Sequence, residues 1–318
     1  MTIPENYSFI QYLKAKKTVD DIALNFHVLK RLSKFLNSRS KENPLRILEI
    51  GSGIGTMLVR LLERNLLYHA EYTAIDLDIS NIRYTKQYLI DWDVHQDYII
   101  EENNQHSFNL IQPGKHIQVN LEAVELMEFI LRERPIHKWD LVIAHAFLDL
   151  VDSSLVIPGL LDLLEDEGLF YFTLIFDGAT ILEPPIQPEF DHQVITLYHQ
   201  SMDFRETNGT PTGGSRSGRR IFHQLMNAGA NILSAGSSDW VLYPKDGGYR
   251  ADEAYFLHFI IHTIYEELKN HPQLDPQQFK IWINQRHSQI ERGELVFIAH
   301  QLDVLSTGKQ KMKRLSNE

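Results

Sequence analysis

Polar and apolar positions along this chain follow two alternating rhythms. Leu45 to Ile50, Glu71 to Asp76, Trp139 to His145 and Gly168 to Ile175 are compact runs rich in branched and aliphatic residues. Such runs suit strands buried on both faces. His116 to Val119 is a shorter run of the same kind. Between them, in Met57 to Glu63 and Ser80 to Ile90, apolar residues return every three or four positions, which predicts helices. Further helices are expected from Ala123 through about Arg132 and over Pro158 to Glu165. Strands alternating with helices predict βαβ units and a mostly parallel sheet.

Outside this frame the rhythm changes. Residues 7–36 read as one or two amphipathic helices, with Tyr12, Val19, Leu24, Leu29 and Leu32 near helical spacing and lysines and acids between them. Residues 91–116 are polar and weakly patterned, and a loop of that length is usually functional or mobile. After Asp177 the pattern is irregular. Prolines at 184, 185 and 188, then Asn208 to Ser215, mark a segment crossing outside the sheet. Helices follow at Arg219 to Ala228, Asp252 to Lys269 and 276–291, with strands at Asn231 to Tyr243 and Glu294 to Leu305. The expected organisation is a helical cap (1–43), a core (44–178), a substrate-side lid (179–229), final strands with inserted helices (230–305) and a flexible tail (306–318).

Composition narrows the partners. The 318 residues are 43% hydrophobic and 23% charged, an ordinary globular balance, and contain no cysteine, which excludes disulfides and thiolate chemistry. The net charge of −11 disfavours nucleic acid. No apolar run is long enough for a bilayer, and Met1 to Ser8 lacks the pattern of a secretory signal. A cytoplasmic protein with a small-molecule partner, no nucleic acid and no membrane is expected, and a homodimer is left open.

The chemistry starts at the first strand-to-helix turn, Glu49-Ile50-Gly51-Ser52-Gly53-Ile54-Gly55-Thr56. Glycines at 51, 53 and 55 let the backbone approach a ligand, and the next helix N-terminus favours negative charge. The dinucleotide fingerprint would put its third glycine at position 56, where Thr56 stands, and requires no acid two residues before the first. Asp76 ends the second strand, where a carboxylate can accept two ribose hydroxyls, while Asp78 before Ser80 suits a helix cap. His145 ends the fourth strand, where ligands gather in open α/β sheets. It either serves as a base for a hydroxyl or amine nucleophile or simply lines the pocket. Asp149, one turn on, either orients it or caps the next segment.

The acid-plus-glycines turn, with the later stations in order, resembles the first motif of class I S-adenosylmethionine (SAM)-dependent methyltransferases. The resemblance covers roughly residues 44–178, and 230–305 more loosely. It implies an α/β Rossmann-like sandwich, with a mostly parallel seven-stranded sheet and an antiparallel edge strand. It implies SAM as cofactor and S-adenosylhomocysteine as product. The methionine end would lie on Glu49, Gly51, Ser52, Gly53 and Gly55, with His145 beside the methyl donor, and the ribose on Asp76 with Leu77 next to it. Glu122 and Ala123 would meet the adenine, with Asn120 an alternative for the side-chain contact.

Two further features are ambiguous. Gly213 to Arg220 carries Arg216, Arg219 and Arg220, which either close as a lid on an anionic acceptor or lie in solvent while Ser217 caps a helix. His258 and His262 are four apart on a predicted helix, but no acid stands between them, so they read as packed histidines and no metal is expected. The function expected is methyl transfer to oxygen or nitrogen of a small molecule. A non-catalytic SAM-binding protein and an aminopropyltransferase on the same scaffold are the rivals.

Overall fold

The computed structural model describes residues 3–4, 6–39, 43–93, 97–207 and 209–309. Its centre is a ten-stranded sheet. The parallel strands are β1 (Leu45–Ile50), β2 (His69–Asp76), β5 (Lys115–Ala123), β6 (Trp139–His145) and β7 (Leu164–Glu183). The hairpin β3 (Ile99–Asn104) and β4 (Ser107–Gln112) extends one edge. At the other side stand β10 (Ala230–Ser237), β11 (Trp240–Leu242) and β12 (Val296–Lys309). The order is β10-β12-β7-β6-β1-β2-β5-β4-β3, with β11 pairing off this path to β12.

The dinucleotide fold runs 3-2-1-4-5-6 across its sheet. Here the last strand, β12, is instead inserted between β7 and β10 and runs antiparallel to both. The expected antiparallel strand is therefore present but interior. β12 also continues to Lys309, so 306–309 belong to the sheet and not to a tail, while 310–318 lie outside the described residues.

Alternate residues of the central strands feed opposite layers, as the period of two requires. Ile47, Leu141, Ile143 and Tyr171 pack with α2 (Phe26–Ser38), α3 (Thr56–Glu63) and α4 (Ile79–Asp93). Leu48, Ile50, Val142 and Phe170 pack with α5 (Leu126–Glu133), α6 (Ser153–Leu161) and α8 (Ser217–Asn227). A third core gathers α1 (Phe9–Ala23), α7 (Pro188–Asp203), α9 (Glu253–Leu268) and α10 (Pro276–Glu291). It rests on the far parts of β7 and β12, which stay paired as far as Glu183 and Val296. One helix of the expected cap (α1), one of the expected lid (α7) and the two late helices thus share a core, while α2 and α8 pack on the sheet.

Several expectations shift. Residues 91–116 contain the β3–β4 hairpin, and the helix expected at Pro158 to Glu165 starts earlier, at Ser153. The irregular stretch after Asp177 holds the extension of β7 and the sixteen-residue α7, with Pro188 in its first turn, where the missing N–H costs nothing. Asn231 to Tyr243 divides into β10 and β11. Among the described residues no helix is long and apolar enough to cross a membrane.

Candidate functional site

Sheet order reverses at β1, whose neighbours β2 and β6 lie on opposite sides, and ligands bind outside the carboxyl ends of strands at such a point. A cavity of about 1020 Å³ opens there. That is at the top of the usual range for ligand pockets, ~300–1,000 Å³, and leaves room for two molecules.

The turn after β1 forms one wall. Gly51 and Gly53 both have left-handed φ, at 63° and 55°, conformations that strain other residues. A Cβ on Gly51 would lie 2.2 Å from the Phe147 ring, and one on Gly53 would meet Leu13 of α1 at 3.3 Å. The bare turn therefore admits α1 and Phe147 as neighbours as well as a ligand. Gly55 does not line the cavity. Its missing side chain makes room for Thr85 of α4, so it serves packing. Glu49 lines the cavity and is 1% exposed. Loss of water pushes its pKa up to about 8, although the Tyr72 hydroxyl donates to it at 2.7 Å and the Arg60 charge favours ionisation. Ser52 also lines the cavity, and its buried Oγ has no hydrogen-bond partner.

Asp76 stands at the carboxyl end of β2 on the same cavity. Its Oδ2 accepts from the Gly53 N–H at 2.8 Å, and its Oδ1 accepts from the Asp78 N–H at 2.9 Å and from Asn81 Nδ2 at 3.2 Å. It thus ties the glycine turn to the next turn, and of its roughly four lone-pair sites one stays open. Asn81 lines the cavity too, with a buried Oδ1 that has no partner. Leu77 lines the cavity and is largely exposed, while Asp78 accepts from both the N–H and the hydroxyl of Ser80, as a cap does. The residues expected at the adenine lie off the cavity. β5 continues through Glu122 and Ala123, neither of which lines the cavity, and Arg132 takes both Glu122 oxygens at 2.6 and 2.7 Å. Asn120, the alternative, is also absent from the lining. Val124, Glu125 and Leu126 line the cavity instead.

His145 is buried at the end of β6 and lines the cavity, but both of its ring nitrogens are engaged. Nδ1 meets Thr173 Oγ1 at 2.7 Å, and Nε2 meets Asp20 Oδ2 at 2.9 Å and Arg60 Nη1 at 3.4 Å. A carboxylate cannot donate, so the consistent tautomer carries its proton on Nε2 and accepts from Thr173 at Nδ1. Burial, with the Arg60 charge, lowers the pKa of His145 to about 4, against the pull of Asp20. The ring is a neutral strut with no free lone pair for a substrate proton. Asp20 also accepts from Lys16 Nζ at 2.6 Å and from the Trp240 indole at 2.9 Å. Burial opposes its ionisation, but Lys16, His145 and Arg60 outweigh that and hold it well below the carboxylate range. Lysine 16 and aspartate 20 were missed among the polar residues of 7–36. Their signal was the stripe Tyr12, Lys16, Asp20 at spacing four, beside buried Ala15 and Val19.

Asp149 lines the cavity, is not paired with His145, and has a buried Oδ1 without a partner. Burial raises its pKa, against the charges of Lys16 and Arg205. Arg216, Arg219 and Arg220 do not line this cavity. Arg219 is held by Asp177 at 2.8 Å, Arg216 is exposed, and Arg220 borders a separate polar cavity of about 460 Å³ while donating to the Gly213 carbonyl. The arginine on the main cavity is Arg205, paired with Glu267 at 3.0 Å. His258 and His262 part company. His258 Nδ1 meets His287 Nδ1 of α10 at 2.8 Å, and His262 stacks on Tyr7 at 4.0 Å between ring centres.

No protein-family model matches the chain, and no curated protein matches it in sequence. Among solved structures it is similar to a candidate methyltransferase of Bacillus halodurans, with 10% identity and a TM-score of 0.47 over 88% of this chain and 99% of that one. It is similar to a candidate sarcosine dimethylglycine methyltransferase of Galdieria sulphuraria, with 13% identity and a TM-score of 0.40 over 89% and 87%. A third is the plantazolicin methyltransferase BpumL in complex with a pentazolic desmethylPZN analog and S-adenosylhomocysteine, with 13% identity and a TM-score of 0.41 over 93% and 90%. The strand order and the turn after β1, rather than these distant likenesses, define the class. It is a Rossmann-like α/β sandwich whose final strand is inserted antiparallel beside the fifth strand of the parallel set.

Proposed function

We propose that the chain is a SAM-dependent methyltransferase acting on oxygen or nitrogen of a small-molecule acceptor. The observation that carries this reading is the polar wall at the sheet's switch point. Two buried oxygens without protein partners, Ser52 Oγ and Asn81 Oδ1, stand with Glu49 and Asp76 around one cavity. Buried polar groups are rarely left unpaired, so the wall fits a ligand with several hydrogen-bonding groups.

Bound there, SAM would supply a methyl group already activated by its sulfonium. Glu49 gives up its proton to meet an ammonium group, because a nearby cation reverses the effect of burial. Asp76 offers its remaining lone pair to a ribose hydroxyl, and Leu77, Val124 and Leu126 offer apolar surface to a base. His145 is a positioning residue that ties α1 to β6 and β7 through Asp20 and Thr173. Asp149 is the group free to accept a proton. Alignment and exclusion of water supply much of the rate in such a transfer.

Calorimetry with SAM, S-adenosylhomocysteine, decarboxylated SAM and NADH tests the reading. Micromolar-range binding of the first two, about −8 kcal/mol, is expected. Absence of both heat and thermal shift with either ends it, and binding of NADH alone would favour a dinucleotide enzyme. A screen for radiolabelled methyl transfer then separates an enzyme from a protein that only binds the cofactor.

A further inference from the structure

Beyond the glycine turn the cavity runs between α1, the far part of β7, α7 and α9, and its walls change character. Tyr12 stacks on Phe259 at 4.1 Å between ring centres with an 18° tilt. Phe176, Tyr198, Trp240 and Phe297 line the same region. Lys16 and Arg205, the lysine and arginine among the described lining residues, are both committed, to Asp20 and Glu267. What remains unpaired is Oδ1 of Asp149.

We propose that the acceptor is a flat, largely apolar aromatic molecule bearing one hydroxyl or amine, which is received by Asp149. The proposal rests on the reading of the glycine-turn half as the cofactor's half. A carboxylate or phosphate acceptor would find no free cation here, and burying an unpaired charge is costly. A polyamine would bring several ammonium groups against aromatic rings, where Asp149 is the acid with a buried partnerless oxygen. An aromatic acceptor buries its faces against rings that prefer offset or edge contact, and its single N–H or O–H satisfies the orphaned oxygen.

The transfer then balances. A lone pair on the acceptor's oxygen or nitrogen forms the new bond to the methyl carbon, and the sulfur–carbon bond breaks with its electron pair going to sulfur. The acceptor's proton passes to the Asp149 carboxylate. Burial raises the pKa of Asp149, which makes it a stronger base than an exposed aspartate.

The test uses the full chain in calorimetry, first with S-adenosylhomocysteine alone and then, saturated with it, with four probes: 1-naphthol, 1-naphthylamine, 1-naphthoate and spermidine. Naphthol and naphthylamine should bind roughly tenfold or more tightly than naphthoate and spermidine. Asp149→Ala should weaken naphthol about tenfold, and Phe259→Ala should weaken both neutral probes, while neither alters S-adenosylhomocysteine binding. Normal S-adenosylhomocysteine binding with naphthoate or spermidine preferred, or with no probe bound at millimolar concentration, overturns the aromatic-acceptor proposal and leaves the cofactor reading standing. No S-adenosylhomocysteine binding overturns both.

Discussion

Glu49 and Asp20 are buried carboxylates on the walls of one cavity, and the protein holds them in opposite charge states. Glu49 meets one neutral donor, the Tyr72 hydroxyl, and desolvation pushes its pKa up to about 8. Asp20 is buried as deeply, at 1% exposure, yet Lys16 and His145 touch it and Arg60 stands 3.9 Å away, and together they keep it ionised. Depth is the same and company differs. Asp20 spends its charge on holding α1 to the sheet, while Glu49 keeps an unmet demand for a cation. Among buried acids, the one short of partners is the one a bound cation would stabilise most.

The hardest blow to this contrast is Asp20→Asn, which leaves buried Lys16 without its carboxylate and Arg60 with Asp21 alone. It should cost roughly 3–5 kcal/mol in urea denaturation. A loss under about 1 kcal/mol would mean that the cluster is solvated and α1 is held otherwise.

Glu49→Gln keeps an acceptor for Tyr72 but removes the ionisable group, and should weaken S-adenosylhomocysteine by about 1.5–3 kcal/mol. Proton linkage gives a sharper signature. The folded pKa of about 8 stands above the ordinary 4.5, so below 8 the free protein carries a proton that an incoming ammonium displaces. Near pH 6.5 the wild type should therefore release up to about one proton per ligand, seen as heat that varies with buffer, and the variant none. The same shift fixes the sign for stability. The contribution of protonated Glu49 is full below 4.5 and is lost as pH rises through 8, and Glu49→Gln should escape that loss.

A smaller effect separates the neighbouring acids of β2 and α4. Asp76→Ala should weaken S-adenosylhomocysteine by about 1–3 kcal/mol, because it strips a ligand contact and frees the glycine turn. Asp78→Ala should cost about 1 kcal/mol of stability as a lost cap and leave binding alone. Equal binding losses at both positions would show that the turn, not the Asp76 carboxylate, makes the site. Smallest of all, Arg216→Gln and Arg219→Gln should change stability by less than ~0.5 kcal/mol and leave acceptor kinetics unchanged.

The half of the cavity proposed for the cofactor was legible because its parts are local. A buried parallel strand shows as an unbroken apolar run, the turn after it shows its glycines, and Asp76 and Asp78 lie two residues apart with distinct surroundings. The other half was not, because it is assembled from α1, α7, α9 and the far end of β7, which meet only in three dimensions. Prolines that read as disruption were, at Pro188, the start of a helix. The arginines of 216–220 are conspicuous in sequence but lie off the cavity, which Arg205 borders instead. Glu122 lies off the cavity because β5 runs on through Ala123 and Arg132 claims the carboxylate. The β3–β4 hairpin hid in residues 91–116 because β3 is exposed along most of its length, so its pattern is polar.

The indole of Trp240 gives the cavity an optical reporter of its own. The chain has four tryptophans. Trp139 and Trp282 belong to the cores and Trp92 bonds Glu63, whereas Trp240 borders the cavity, with its N–H on Asp20 and the Lys16 ammonium 5.2 Å above the ring. Two opposite charges fixed against one chromophore set the energy of its excited state. Any lifting of α1 carries Asp20 and Lys16 away together and shifts the emission colour, while an aromatic guest beside the ring changes its intensity with the charges in place. A displacement of α1 and the binding of an aromatic molecule would therefore be told apart in unlabelled protein, the one by emission wavelength and the other by intensity.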